Sequence, residues 1–244
     1  MARKLATTAT LAEARKTLWR YASPAKALTY RSFFKNSQDD VFLGVTAPLV
    51  RKVAIAFPNL TFSNLLTLMQ SNVHEERSLA HAILRLRFMQ GDERERARVF
   101  RFYMAHRRCI RAWDGVDDSA PYIVGPYLLE REKDCLYALA RSKRIWDRRI
   151  AIVSTWWFIR KGRKDQTSET FKIAEMLLGD EEGLIHKAVG WMLREAGKRD
   201  LGALKRFLKS HYQTMPRTML RYAIERFPAD ERQRYLRPKT GQTA

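Results

Sequence analysis

The sequence is poor in cysteine and has no long apolar run. Its two cysteines, Cys109 and Cys135, match no metal-binding spacing, so we expect two reduced, partly buried thiols. No segment approaches the roughly 20 apolar residues that a membrane span requires. The first residues contain no apolar segment followed by a cleavage site. The sequence therefore predicts a cytoplasmic protein that does not enter a membrane.

The usual signatures of nucleophilic and phosphate-binding enzymes are also missing. We find no nucleophile elbow, no phosphate-binding glycine loop and no Cys-x-x-Cys pair. Among the five histidines, His74 and His81 lie seven residues apart on one predicted helix face, but no acid or thiol completes a ligand set. We interpret these histidines as surface or capping residues, and we expect neither a metal nor a cofactor.

Positive charge is what the chain has in excess. It contains 46 lysines and arginines against 26 acids, a formal net charge of +20. Because the excess is spread along the chain, an extended polyanion is expected to neutralise it. Nucleic acid is the first candidate and an anionic membrane surface the second, although a basic composition can also merely favour solubility.

Helical periodicity runs through nearly the whole chain, interrupted by short breaks. No stretch shows sustained strand alternation between turn signals, so the sequence predicts an all-α protein. Without a low-complexity linker, we expect a single domain over residues 1–244, with flexible ends at about 1–10 and 238–244. The predicted helices cover about 11–21, 25–34, 47–57, 61–71, 73–90, 92–107, 121–130 (with a start at 113 as the alternative), 133–142, 145–161, 168–178, 181–197, 200–211 and 216–226.

A basic residue recurs just before a small or apolar run. The four occurrences are Arg77, Arg148, His186 and Arg217. With the segment around Trp113 between the first two, the period is roughly 30–40 residues, typical of two-helix HEAT or armadillo repeats. Such repeats stack into an α-α superhelix, with positive charge and helix N-termini along one surface. An irregular bundle of helix pairs is the alternative.

One dense acidic cluster interrupts this basic chain. It consists of Asp114, Asp117 and Asp118. Trp113 and Asp117 lie four residues apart, so a helical turn would place them on one face. Asp118 or Ser119 could cap the next helix; a metal site lacks further ligands; and a carboxylate could stabilise a cation developing on deoxyribose, as in glycoside cleavage. We also expect Asp118 to raise the pKa of one member of the pair that it forms with Asp117.

Four collinear blocks resemble the AlkD family of bacterial DNA alkylation-repair glycosylases. These blocks are Val41–Pro48, Trp113–Asp117 with a proline following, Ile145–Arg149 and His186–Arg194. The resemblance covers about residues 25–225, and its Trp-x-x-x-Asp and Lys-Ala-x-Gly-Trp-x-x-Arg blocks are specific. It implies a superhelix of HEAT-like repeats that wraps duplex DNA in the bacterial cytosol. It also implies cleavage of the N-glycosidic bond of purines made cationic by alkylation, such as 3-methyladenine and 7-methylguanine.

The resemblance also implies roles for individual residues. Trp113 and Trp191 would pack against the deoxyribose of the lesion, and Asp117 would be the catalytic carboxylate. Arg149 would hold the DNA backbone, with the adjacent Arg148 as the alternative. The base would stay stacked, because this family reads the lesion through sugar and backbone. The residues expected to bind DNA are Arg77, Arg148, Lys187 and Arg194.

The expected partner is therefore double-stranded DNA carrying alkylated bases, bound by a monomer that needs no protein partner. A different class of function is a HEAT-repeat protein that binds damaged or branched DNA without catalysis, since some branches of the family lack glycosylase activity. A scaffold that binds protein or RNA is a third. The presence of Trp113, Asp117, Arg149 and Trp191 together favours an active glycosylase.

Overall fold

A computed structural model describes residues 10–34 and 39–237. The predicted flexible ends lie outside the described residues, except for Thr10. Thr10 begins the first helix, because its hydroxyl accepts the Glu13 N–H while the Glu13 carboxylate accepts the Thr10 N–H. This reciprocal pair is a capping box.

The chain divides by its contacts into two compact units, residues 1–127 and 128–244. The helices of the first are α1 (Leu11–Trp19), α2 (Pro24–Phe33), α3 (Ala47–Ala56), α4 (Phe62–Gln70), α5 (His74–Gln90), α6 (Glu93–His106), α7 (Trp113–Asp117) and α8 (Ala120–Leu128), which reaches the boundary. Those of the second are α9 (Asp134–Ala140), α10 (Ile145–Lys161), α11 (Ser168–Met176), α12 (Gly183–Arg199), α13 (Leu201–His211), α14 (Arg217–Ala223) and α15 (Ala229–Leu236). The single domain over 1–244 stays a prediction.

The predicted all-α class is confirmed: among the described residues, extended pairing is limited to an isolated bridge between Val41 and Val73. Two helix assignments need correction. The predicted helix over 121–130 is α8, which starts at Ala120, but its alternative start at 113 is wrong, because the residues from 113 form the separate helix α7, which ends at Asp117. Helix α15 was not predicted, because it is strongly polar and buries none of its residues. No described helix is long and apolar enough to cross a bilayer.

The three helices α5, α10 and α12 are each 17 residues long and begin in the same way. The residue three positions before each helix makes two hydrogen bonds. Its side-chain oxygen accepts the N–H of the residue two positions later. Its main-chain carbonyl accepts a hydrogen bond from the basic side chain six positions later. The oxygens belong to Ser71, Ser142 and Asp180. The basic residues are Arg77, Arg148 and His186.

This shared helix start supports the repeat prediction and corrects one of its consequences. The recurring basic residues were expected to place positive charge along a surface. Three of them instead bind protein groups at the helix starts, and Arg217 donates to the carbonyl of Leu236. The recurrence therefore reflects how each helix is joined to its loop.

Helix α5 holds the centre of the first unit, where it packs against α3, α4, α6 and α7. The Glu75 carboxylate accepts the N–H groups of Leu43, Gly44 and Val45 at 2.8–3.2 Å, which fixes the loop before α3. Gly44 has a φ of 74°, and a Cβ there would lie 2.2 Å from the carbonyl oxygen of Ser23. This position therefore requires glycine, which explains the glycine of the Val41–Pro48 block.

Candidate active site at helix α7

Helix α7 is a single turn that begins at Trp113 and ends at Asp117. Both residues are half-buried, and both line a cavity of about 690 Å³ in the first unit. The expectation that they share one helical turn is confirmed. The cavity thus has an aromatic ring and a carboxylate side by side on one wall.

The walls of this cavity differ in chemistry. Helix α7 and the residue that follows it contribute three carboxylates, whereas α2, α3 and α5 contribute mainly apolar and aromatic side chains. The apolar wall includes Tyr30, Phe33, Phe34, Val50, Leu86 and Met89. Because apolar walls lower the local dielectric constant, charges on the α7 side act more strongly on a bound group than they would in water.

The ring of Trp113 is stacked against Phe34. Their centroids are 5.4 Å apart and the planes differ by 7°. Phe34 also contacts the imidazole of His74, at 4.4 Å between ring centroids, and Phe42 stacks on the same imidazole at 4.8 Å. The indole is therefore oriented by an aromatic cluster that contains His74.

Asp114, the second residue of α7, is bound by His74. The distance from His74 Nε2 to Asp114 Oδ2 is 2.8 Å. Burial alone raises the pKa of Asp114, but the hydrogen bond from His74, the electrostatic attraction of the His74 and His81 imidazoles and the Gly115 N–H keep it below the usual value. Asp114 is therefore an ionised anchor of α7.

Arg77 extends this contact into the protein. Its guanidinium lies 3.4 Å from His74 Nδ1 and forms a bidentate pair with Asp40, one bond of which is 3.0 Å long. Arginine only donates, so His74 Nδ1 accepts and the proton sits on Nε2, facing Asp114. A chain of hydrogen bonds thus joins Asp40, Arg77, His74 and Asp114.

His81 lies directly beneath α7 and is 3% exposed. Neither of its ring nitrogens has a hydrogen-bond partner among the described residues, and burial lowers its pKa to about 4. A Cβ on Gly115 would lie 3.0 Å from His81 Cε1, so this imidazole fills the space that the glycine leaves. The interpretation of His74 and His81 as surface or capping residues is wrong, because both are buried.

Asp118 follows α7 at the rim of the cavity. Although the residue is exposed, protein atoms around its carboxyl group raise its pKa, and repulsion from Asp114 adds to this shift against the opposing charges of Arg85 and Arg51. A raised pKa was expected, but with Asp117 as the repelling neighbour. Ser119, one of two predicted caps for the next helix, directly precedes α8, and its hydroxyl donates to the Gly115 carbonyl within α7.

Two cavity residues, Arg51 and Arg85, were not singled out in the sequence. Arg51 is exposed on α3, and Arg85 is half-buried on α5, where its guanidinium carbon lies 3.3 Å from the centre of the Tyr122 ring. Neither belongs to a sequence motif. They converge because α3 packs on α5, which no local pattern reveals.

Three arginines that were expected to meet DNA bind protein groups. Arg77 pairs with Asp40, and Arg148 pairs with Asp180, while Arg149 is 5% exposed and donates to a main-chain carbonyl of α12 at 2.6 Å. The side chains of Arg77 and Arg149 are the more buried. Their placement does not support the predicted contacts with DNA.

The remaining predicted residues lie on α12 of the second unit. Trp191 is half-buried and Lys187 is exposed. Arg194 forms ion pairs with Glu195 and Glu225. Of the two charged residues, Lys187 is the more exposed to solvent.

The described residues contain no group of three or more His, Cys, Asp or Glu side chains arranged to hold a metal ion. The contact of His74 with Asp114 is therefore a pair without a third ligand. The chemistry to be explained is that of a carboxylate and an indole.

Comparison with known proteins gives the family of the chain. A family model described as DNA alkylation repair enzyme matches residues 14–227. No curated protein matches the chain. A solved structure described as "Predicted DNA alkylation repair enzyme from Enterococcus faecalis" shares the fold, with a TM-score of 0.65 and 17% sequence identity over 85% of this chain and 97% of that one. The chain belongs to the family of DNA alkylation repair enzymes.

Proposed function

We propose that this protein is a monofunctional DNA glycosylase that hydrolyses the N-glycosidic bond of cationic alkylated purines in duplex DNA. The observation that carries the proposal is the position of Trp113 and Asp117 on one helical turn, lining the same cavity. A net charge of +20 supports a polyanionic substrate. The family supports alkylated DNA as that substrate.

Hydrolysis of this bond requires the protein mainly to stabilise the positive charge that develops on the sugar. Alkylation at N3 or N7 makes the purine a cation, so it leaves with the electron pair of the glycosidic bond as a neutral base. No general acid is needed. Positive charge then develops on the deoxyribose, a water oxygen forms the new bond to the sugar carbon, and the water proton passes to a base or to solvent.

Asp117 supplies the negative charge next to this developing cation. Its electrostatic stabilisation is strengthened by the apolar walls of the cavity, and its carboxylate can also orient the attacking water. Trp113 adds attraction between its electron-rich face and the sugar cation. Together they favour the transition state over the ground state, in which the sugar is neutral.

The proposal extends to binding. We propose that Lys187 and Arg194 contact the phosphate backbone, and that Trp191 packs against the deoxyribose as the resemblance implies. The DNA affinity should then fall steeply as salt rises, because binding releases counterions. Salt-insensitive binding would count against contacts with phosphates.

The test is release of 7-methylguanine and 3-methyladenine from methylated duplex DNA by native protein and by Asp117→Asn. We expect release by the native protein, and loss of nearly all activity in the variant with DNA affinity unchanged. Native protein that binds the duplex but releases no base would overturn the glycosylase and favour a DNA-binding protein without catalysis.

A further inference from the structure

We infer that His74 is a positioning residue of the active site, which fixes helix α7 through Asp114 and through the Phe34 ring that stacks on Trp113. The inference rests on the proposed function, since α7 carries Asp117. His74 lies on α5 and touches no reacting group. It acts on the reaction only through the residues that it holds.

His74 contacts both of the first two residues of α7, one directly and one through a ring. Its Nε2 is 2.8 Å from Asp114 Oδ2. Its imidazole packs at 4.4 Å on Phe34, which in turn stacks on Trp113 at 5.4 Å. Since α7 has five residues, fixing its first two residues also sets the direction of the Asp117 side chain at its other end.

The hydrogen-bond donors around His74 determine what it offers to Asp114. Arg77 approaches Nδ1 and has no acceptor atom, so Nδ1 must accept. Nε2 then carries the proton and donates a hydrogen bond to the Asp114 carboxylate. Arg77 is itself fixed by Asp40 and by the carbonyl of Ser71, so the tautomer is set by a buried chain of hydrogen bonds.

A comparison within the molecule separates this role from a role in folding. Helices α5 and α10 start in the same way, so His74 corresponds to Ile145, the first residue of α10. An apolar side chain at that position is thus compatible with the shared helix start. A buried polar group stabilises nothing unless it is hydrogen-bonded, and the hydrogen bond that His74 donates from Nε2 goes to α7.

Loss of His74 should therefore displace α7 while leaving α5 folded. A displacement of about 1 Å in a catalytic group can slow a reaction on the order of 100-fold. We expect His74→Ile to lower the single-turnover rate of base release roughly 10- to 100-fold, with DNA affinity within about threefold of native. His74→Gln, whose side-chain amide can replace the Nε2 donor, should recover most of the rate.

The experiment measures single-turnover release by native protein, His74→Ile, His74→Gln and Leu65→Ala. Leu65 is fully buried on α4, which does not line the cavity, so its truncation controls for a general loss of stability. A rate loss specific to His74→Ile, with recovery in His74→Gln, supports the inference. Native rates in His74→Ile, or losses matched by Leu65→Ala, would overturn it.

A second readout does not depend on catalysis. In nitrogen-15 spectra of the native protein, His74 should show a protonated Nε2 and an unprotonated Nδ1, and Asp114→Ala should abolish this preference. A mixture of tautomers in the native protein would overturn the inference whether or not base is released. If the native protein releases no base but the tautomer is fixed, the proposed function fails while the anchoring of α7 stands.

Discussion

Helices α5 and α10 have the same construction but different interiors. Each has 17 residues and begins three residues after a serine that accepts an N–H. Each is followed by a glycine whose N–H donates to the carbonyl four residues earlier. Yet α5 buries His74 and His81 where α10 buries or half-buries Ile145 and Ile152.

This difference shows which residues the scaffold needs and which serve the site. Isoleucine at both positions is compatible with a helix that packs on its neighbours, as α10 packs on α9, α11 and α12. The two histidines of α5 instead face α7, one bonded to Asp114 and one beneath Gly115. The two buried histidines of α5 are therefore explained by the candidate site, and the arginines common to both helices by the fold.

Removing the arginine that α5 and α10 share should produce the largest loss of stability. Arg77→Met and Arg148→Met each leave a buried carboxylate without its arginine, since the side chains of Asp40 and Asp180 are 7% and 5% exposed. We expect each change to lower the free energy of unfolding by about 3–5 kcal/mol, measured by urea denaturation. Arg98→Met, at a half-exposed arginine, is the control and should lower it by less than about 1 kcal/mol. Equal effects in all three variants would contradict the shared structural role.

The second prediction concerns pH and His81. Its folded pKa is about 4, against 6.5 for an ordinary histidine, so between these values the unfolded chain binds the extra proton. Stability is therefore full above pH 6.5 and falls towards pH 4, by a total on the order of 3 kcal/mol. Burial causes the shift, with Arg77 and His74 lowering the pKa further and Asp114 opposing them.

His81→Ile introduces the residue found at the corresponding position of α10. We expect this variant to lose that part of the pH dependence and to be more stable than the native protein near pH 5, as measured by urea denaturation at several pH values. An unchanged pH profile would show that His81 does not titrate in this environment.

The smallest expected losses of stability follow from substituting two glycines at helix contacts. A Cβ on Gly190 would lie 2.5 Å from the backbone oxygen of Met219, whereas one on Gly115 would lie 3.0 Å from a ring atom of His81. Backbone cannot yield as a side chain can. Gly190→Ala should therefore destabilise by about 1–3 kcal/mol, and Gly115→Ala by less, partly offset by alanine's better helix propensity of about 1 kcal/mol. Thermal unfolding of both variants measures which substitution lowers the stability more.

Much of the fold could be read from the sequence because it depends on local patterns. Apolar periodicity and short polar breaks predicted most helices, and the Trp-x-x-x-Asp spacing predicted the turn of α7. Helix α15 was not predicted from the sequence, because it is strongly polar and buries none of its residues. The sequence shows the repeat as a recurring basic residue, although at Arg77, Arg148 and His186 that residue binds the loop before its own helix.

The surroundings of the site could not be read in this way. His74 and Asp114 are 40 residues apart, and Arg51 and Arg85 are 34 apart, so only the packing of α3, α5 and α7 brings them together. The stacking of Phe34 on Trp113 was likewise not predicted, because no fixed sequence spacing marks two rings that are far apart in the chain. Long-range pairs of this kind depend on tertiary structure, which single-sequence patterns do not encode.

The central claim is that Asp117, and not its acidic neighbour, stabilises the cation on the sugar. The most direct measurement is the single-turnover release of 7-methylguanine from methylated duplex DNA by native protein, Asp117→Asn and Asp118→Asn, with the DNA saturated in each case. We predict that Asp117→Asn slows release at least about 100-fold, as expected for loss of a principal electrostatic group, while Asp118→Asn stays within about threefold of native. Equal losses in both variants, or a native rate in Asp117→Asn, would contradict the account.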